Sequence, residues 1–119
     1  MDKPPAPKPP SPEVQVKTLH ADLRGMAVLL ASEIRSVDES RLPMVAAAFE
    51  ATAGYAATSP NVGVWRDRLY AHEKVGDNLG RNNAGALMLM GEIAEAIITR
   101  CSEGVRSDAA RWVAAVLRS

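Results

Sequence analysis

Residues 84–101 read AGALMLMGEIAEAIITRC, and this stretch decides the fold. Wound as a helix, it places Ala86, Leu87, Leu89, Met90, Ile93, Ala94, Ile97, Ile98 and Cys101 over more than half of the circumference. What remains polar is a narrow strip of Glu92, Glu95, Thr99 and, just beyond, Glu103. A helix with so little polar surface is central in a bundle or buried against a partner. Its most hydrophobic part, residues 84–98, carries Glu92 and Glu95 and is too short to span a bilayer. No alternating apolar–polar strand pattern appears elsewhere in the chain. The expected class is therefore all-α, a bundle of four to five helices with a disordered Pro-rich N-terminal arm.

Working outward, every other segment of the body repeats the helical pattern. Ser11 suits a helix cap, Pro12 the first helical position and Glu13 the positive helix end. Val16, Leu19, Leu23, Met26, Ala27, Leu30 and Ile34 then recur at spacings of three and four and form one apolar stripe. Val28 and Leu29 fall off that stripe and mark either a second buried face or a partner-facing surface. A second helix is expected over 42–58, with Pro43 in its first turn and Leu42, Val45, Ala48, Phe49, Ala53 and Ala56 on one face. Ser59-Pro60 repeats the opening signature of Ser11-Pro12, but the match ends at once downstream, so two independent helix starts are expected rather than a duplication. The helix that follows carries Val62, Trp65, Leu69, His72, Gly76 and Leu79 as its stripe, and the glycines and asparagines of 76–83 break it. The helix that opens at residue 84 is expected to run to about Ser102, with Gly104 as its stop. Ser107 caps a last one, over 108–118, that turns Ala109, Ala110, Val113, Val116 and Leu117 inward, with Trp112 at the stripe's edge.

Residues 1–10 differ from all of this. Five of the seven positions 4–10 are proline, which fixes φ and removes backbone donors, so neither helix nor sheet is expected there. Such an arm is a ligand for a proline-reading groove, a spacer or an unselected tail. The domain plan is accordingly an arm at 1–10 and one helical domain at 11–119.

Composition narrows the function classes. The 119 residues carry 14 Lys and Arg against 14 Asp and Glu, a net charge of zero, without the basic excess usual in nucleic-acid binders. The single Cys101 allows no internal disulfide and points to a reducing cytoplasm. Alanine supplies much of the apolar content and aromatic residues only 4%, so the core depends on close helix approach and is marginal for a lone chain. Small residues at Ala48, Ala53, Gly76 and Ala94 are the expected points of tight contact. The alanine- and arginine-rich usage suggests a GC-rich bacterial or phage coding sequence.

Reactive side chains are scattered. His20 and His72 are the two histidines, and no CxxC, HxxxH, HExxH or ExxH spacing exists, so no metal or cofactor is expected. No GxSxG is present, and Gly76-Asp77-Asn78-Leu79-Gly80 lacks the lysine and the preceding strand of a phosphate loop. Cys101 shares a face with Ile97 and Met90 and reads as apolar filler. Glu92 and Glu95 point outward as a solvated face. His72, on an apolar stripe, is a core histidine or, less in keeping with the pattern, the centre of an activity.

Two readings of function follow. The favoured one is a non-enzymatic protein-interaction and assembly module that forms a homo-oligomer or binds a protein partner through Val28, Leu29, Met88, Leu89 and Trp112. Its basis is apolar surface in excess of what a small bundle hides. The alternative is an accessory subunit of a nucleic-acid-handling complex that touches phosphates through Arg66, Arg68 and Arg81. A helix-turn-helix is not the expectation, because the helix after the turn offers Ala-Gly-Ala-Leu-Met-Leu-Met where base-reading polar side chains would stand.

Overall fold

The computed structural model describes residues 12–58 and 61–119, with side chains from Lys17 onward. The arm expected at 1–10, the Ser11 cap, the Val16 side chain and the Ser59-Pro60 start lie outside the described residues. All described elements are helical, and the molecule is an all-α bundle.

α1 spans Pro12–Asp38. Its spacing works as read: Leu23, Ala27, Leu30, Ala31 and Ile34 are buried, with Leu19 and Met26 packed partly against them. Asp38 leaves the helix in an extended conformation and accepts hydrogen bonds from the backbone N–H of Ser40 at 3.0 Å and its hydroxyl at 2.6 Å. This capping begins a 3-10 turn, Glu39–Arg41, that feeds directly into α2, Leu42–Thr58. Pro43 falls in the first turn of α2, where its missing N–H costs nothing.

α2 packs most extensively against α6, Arg106–Arg118. The two run antiparallel, with Leu42 and Pro43 beside Leu117, Arg118 and Ser119. Arg118 donates to Glu50 at 2.6 Å across the pair. Ala46 and Ala53 share the Glu50 flank of α2, and Ala110 and Ala114 share the Arg118 flank of α6. All four alanines are fully buried. Side chains of one carbon let the two backbones approach closely, as the alanine-rich composition implies.

The Glu50–Arg118 pair has a pH signature. The hydrogen bond from Arg118 holds the Glu50 carboxyl below its ordinary value. A carboxyl whose folded value is depressed stabilises the fold fully above its unfolded value and loses that contribution as pH falls through the folded one. Glu50→Gln should therefore reduce the drop in thermal midpoint between about pH 5 and about pH 3, while changing neutral-pH stability little because the pair is exposed. Melts followed by circular dichroism check this; an acid limb identical in both proteins would count against it.

α5, Ala84–Arg100, is the helix whose sequence fixed the class, and it buries Ala86, Met90, Ile93, Ala94, Ile97 and Ile98. It lies antiparallel to α1, pinned at one end by Arg100 to Asp22 at 2.8 Å and approached at the other by Glu33 at Gly85. A Cβ at Gly85 would stand 3.0 Å from the Glu33 carboxylate, so the small residue admits that contact.

α3, Val62–Ala71, bridges α2 and α5. Asn61 caps it by accepting from the Val64 N–H at 3.1 Å. Trp65 is fully buried, stands edge-on to Phe49 with centroids 6.4 Å apart, and donates its indole N–H to the Thr52 hydroxyl at 2.8 Å. On the other flank, the Tyr70 hydroxyl donates to the Leu87 carbonyl at 2.6 Å.

The stripe of Val62, Trp65, Leu69, His72, Gly76 and Leu79 is not carried by one helix. α3 ends at Ala71, and a 3-10 turn at His72–Lys74 leads into the short α4, Val75–Leu79. Glu73 and Lys74 adopt φ of 46° and 59°, the left-handed region, which costs a residue with a Cβ about 1–2 kcal/mol each. Burial of Val75 and Leu79 offsets that cost by turning α4 back onto the core. Gly76 permits the return: a Cβ there would sit 3.2 Å from the Tyr70 Cβ. The break read at 76–83 thus opens earlier, at His72, and encloses one extra turn of helix before Gly80, at φ 52°, and a second 3-10 turn, Arg81–Asn83.

Candidate functional site

Two surface features could carry a function: an outward face on α1 and α5, and a cleft between α1 and α6. The face follows from helix phase. With Leu23, Ala27, Leu30 and Ile34 inward, Asp22, Met26, Leu29 and Glu33 form the flank of α1 next to α5. Asp22 meets Arg100 and Glu33 meets Gly85. That register sets Leu29 level with the turn of α5 between Leu89 and Glu92. Leu29 is 58% exposed and Met88 62% exposed, while Leu89 between them is half-buried. Two large apolar side chains therefore stand in water above a core that is already filled.

The five residues read from sequence as partner-binding do not form one patch. By the register of α1 and α5, Leu29 lies at the level of Leu89, and Met88 is the neighbouring exposed position on α5. Val28, 51% exposed, turns to the opposite flank of α1, into a shallow groove of about 330 Å³ shared with Arg24, Arg35, Ala115 and Val116 of α1 and α6. Consecutive helix positions diverge by about a quarter turn, which separates Val28 from Leu29. Trp112 belongs to the cleft.

That cleft is built from both ends of the described chain. α1 contributes Leu19, His20 and Leu23, the end of α5 contributes Cys101, and the turn into α6 contributes Val105, Asp108, Ala109 and Trp112. Its volume is about 410 Å³. The His20 imidazole stacks on the Trp112 indole, 5.1 Å between centroids and 20° between planes, to make a flat wall. Val105 is an exposed apolar side chain at the cleft, contributed by the 3-10 turn Glu103–Val105.

A thiol, an imidazole and a carboxylate share this cleft, yet its electrostatics are those of an apolar binding surface. Burial pushes the Cys101 thiol above its ordinary value, against the opposing pull of Arg106 and Arg100, so it is held protonated at neutral pH. Asp108 pairs with Arg111 at 3.5 Å, one turn along α6. Among the described residues no three His, Cys, Asp or Glu side chains converge to hold a metal. Sequence reasoning placed Trp112 at the edge of its stripe and His20 beside another, but the two stand far apart in the chain and no local pattern joins them.

The remaining candidates are dispersed. His72 is half-buried at the end of α3, in the turn with the left-handed residues rather than within a continuous helical stripe. Arg66 and Arg68 leave opposite flanks of α3. The Arg66 stem lies where a Cβ at Gly91 of α5 would meet it, and its guanidinium faces Asp67 at 3.8 Å. Arg68 lies over the Tyr55 ring of α2 at 4.5 Å from the centroid. Arg81 is exposed in the turn before α5. The three arginines thus share no single phosphate track. Among the described residues no helix is long and apolar enough to cross a membrane. No protein-family model, curated protein or solved structure matches the chain.

Proposed function

We propose that this protein is a non-enzymatic helical assembly module that self-associates through the outward faces of α1 and α5. The observation that carries the reading is the exposure of Leu29 and Met88 on adjacent antiparallel helices above a complete core. Neither side chain is needed to fill the interior, so covering them stabilises an interface rather than the fold. Ion-paired Asp22 and Arg100 at one end of the face, and Glu33 at the other, supply a polar rim. The reading assigns the chain to the cytoplasm, supported by its single buried thiol.

Phosphate contact through Arg66, Arg68 and Arg81 has weaker support, because the first two diverge around α3 and Arg68 is engaged with Tyr55. An activity centred on His72 has weaker support, because His72 stands in the turn that ends α3 and not among the residues that line the cleft.

Sedimentation equilibrium on the full chain tests the assembly reading. The wild type is expected to associate with rising concentration. A Leu29→Glu, Met88→Glu double variant should remain a monomer and keep its unfolding free energy within about 1 kcal/mol, as surface substitutions do. A wild type that stays monomeric across the concentration range overturns the proposal.

A further inference from the structure

We propose that the cleft between α1 and α6 is the docking site of the protein's own proline-rich segment, residues 4–10, which packs its rings against the Trp112–His20 wall. The proposal stands independently of association through the α1 and α5 faces.

Four observations point to this occupant. The first is shape and chemistry. The cleft of about 410 Å³ is lined by Leu19, Leu23, Cys101, Val105, Ala109 and Trp112, with an aromatic plane along one side. Aromatic-walled apolar grooves are the surfaces on which proline-rich segments dock, because the pyrrolidine ring is flat, apolar and already ordered. The second is hydrogen bonding. The polar side chains of this lining are His20, stacked on Trp112, and Asp108, whose exposed carboxylate stands at the rim. An extended peptide of ordinary residues would bring one N–H per residue to a wall with few acceptors. Residues 4–10 bring only those of Ala6 and Lys8, since the other five are proline.

The third observation is reach. α1 begins at Pro12, and Leu19, the nearest lining residue along the helix, is seven positions on, about 10 Å at 1.5 Å per residue. The eleven residues before Pro12 span about 34 Å if extended at 3.1 Å each, ample for a return along α1. The fourth is charge. Lys3 precedes the prolines and Lys8 lies among them, and the Asp108 carboxylate on the cleft rim forms an exposed pair with Arg111.

The two tryptophans make the test direct. Trp65 is fully buried, so quenching of indole emission by acrylamide reports Trp112. Removing residues 2–10 should increase that quenching and speed alkylation of Cys101, which lines the same cleft, by about tenfold if the arm covers it nine-tenths of the time. A synthetic peptide of residues 1–11 should restore both protections to the shortened protein. A variant with Pro4, Pro5, Pro7, Pro9 and Pro10 replaced by serine should behave as the deletion does. Circular dichroism confirms that each protein keeps its helices. Protection independent of concentration identifies the chain's own arm, and protection lost on dilution identifies the arm of a second copy; both uphold the assignment. Equal quenching and equal alkylation with and without the arm overturn it, as does equal protection by a proline-free peptide of the same charge. Sedimentation of the shortened protein keeps the two proposals apart: persistent association shows that the α1 and α5 contact survives whichever way the arm result falls.

Discussion

Replacing Trp65 with alanine is expected to cost about 3–5 kcal/mol of unfolding free energy. Trp65 is the bulkiest fully buried side chain, and it stands where α3 meets α2. Alanine there removes the edge-on contact with Phe49 and leaves a cavity that rigid helices close only in part. It also strips the Thr52 hydroxyl of its indole donor. That hydroxyl still donates to the Ala48 carbonyl at 2.8 Å, so the hydrogen-bond share of the loss is modest. Trp65→Phe separates the two effects: it keeps a ring against Phe49, loses the donor and should cost less than the alanine variant by at least about 1 kcal/mol. Urea titrations of the three proteins decide the matter. A Trp65→Ala protein within about 1 kcal/mol of wild type would show that this corner does not anchor the bundle.

Ala114→Leu is expected to cost about 3 kcal/mol, at the upper end of what overpacking does. The alanine seam between α2 and α6 has no room for a γ-branched side chain: Ala46, Ala53, Ala110 and Ala114 are all fully buried on facing flanks. Three added carbons must either push α6 away or force themselves into a strained rotamer. Moving α6 would pull Arg118 from Glu50 and Trp112 from His20 together. Ala115→Leu, one position on and exposed, is the control and should change stability by less than about 0.5 kcal/mol. Thermal melts check both. Equal melting temperatures for the two variants would mean that the seam is loosely packed.

Much of this architecture was legible in the chain because its information is periodic. Leu23, Ala27, Leu30 and Ile34 announce the buried face of α1, and Met90, Ile93, Ala94, Ile97 and Ile98 that of α5, by spacing alone. Pro43 marks the start of α2 through its fixed φ, whereas the stop expected at Gly104 and the cap expected at Ser107 fall elsewhere. α5 already ends at Arg100 on an extended Cys101, and α6 begins at Arg106, so Gly104 sits in the 3-10 turn between them and Ser107 inside α6. What escaped is what spacing does not encode. Glu73 and Lys74 have no intrinsic preference for the left-handed region, so the corner after α3 is imposed by burial of Val75 and Leu79 further on. Asn83, 2% exposed before α5, looks like an ordinary turn residue until the neighbouring helices close over it. The cleft escaped for a related reason: its two walls come from Leu19–Leu23 and from residues 101–112, and only the crossing of α1 over α6 joins them. Exposure of Leu29 and Met88 and the divergence of Val28 from Leu29 followed from phase, whereas which helix stands beside each of them did not.

The alanine seam also bears on ancestry. Two helices that touch through single methyl groups tolerate drift only toward glycine, alanine or serine along that line, while positions facing water can change freely. Distant descendants of this chain would keep a cadence of small residues in α2 and α6 long after the rest of their text had diverged. A search for kin should therefore weigh side-chain volume at those four sites above overall letter-by-letter likeness.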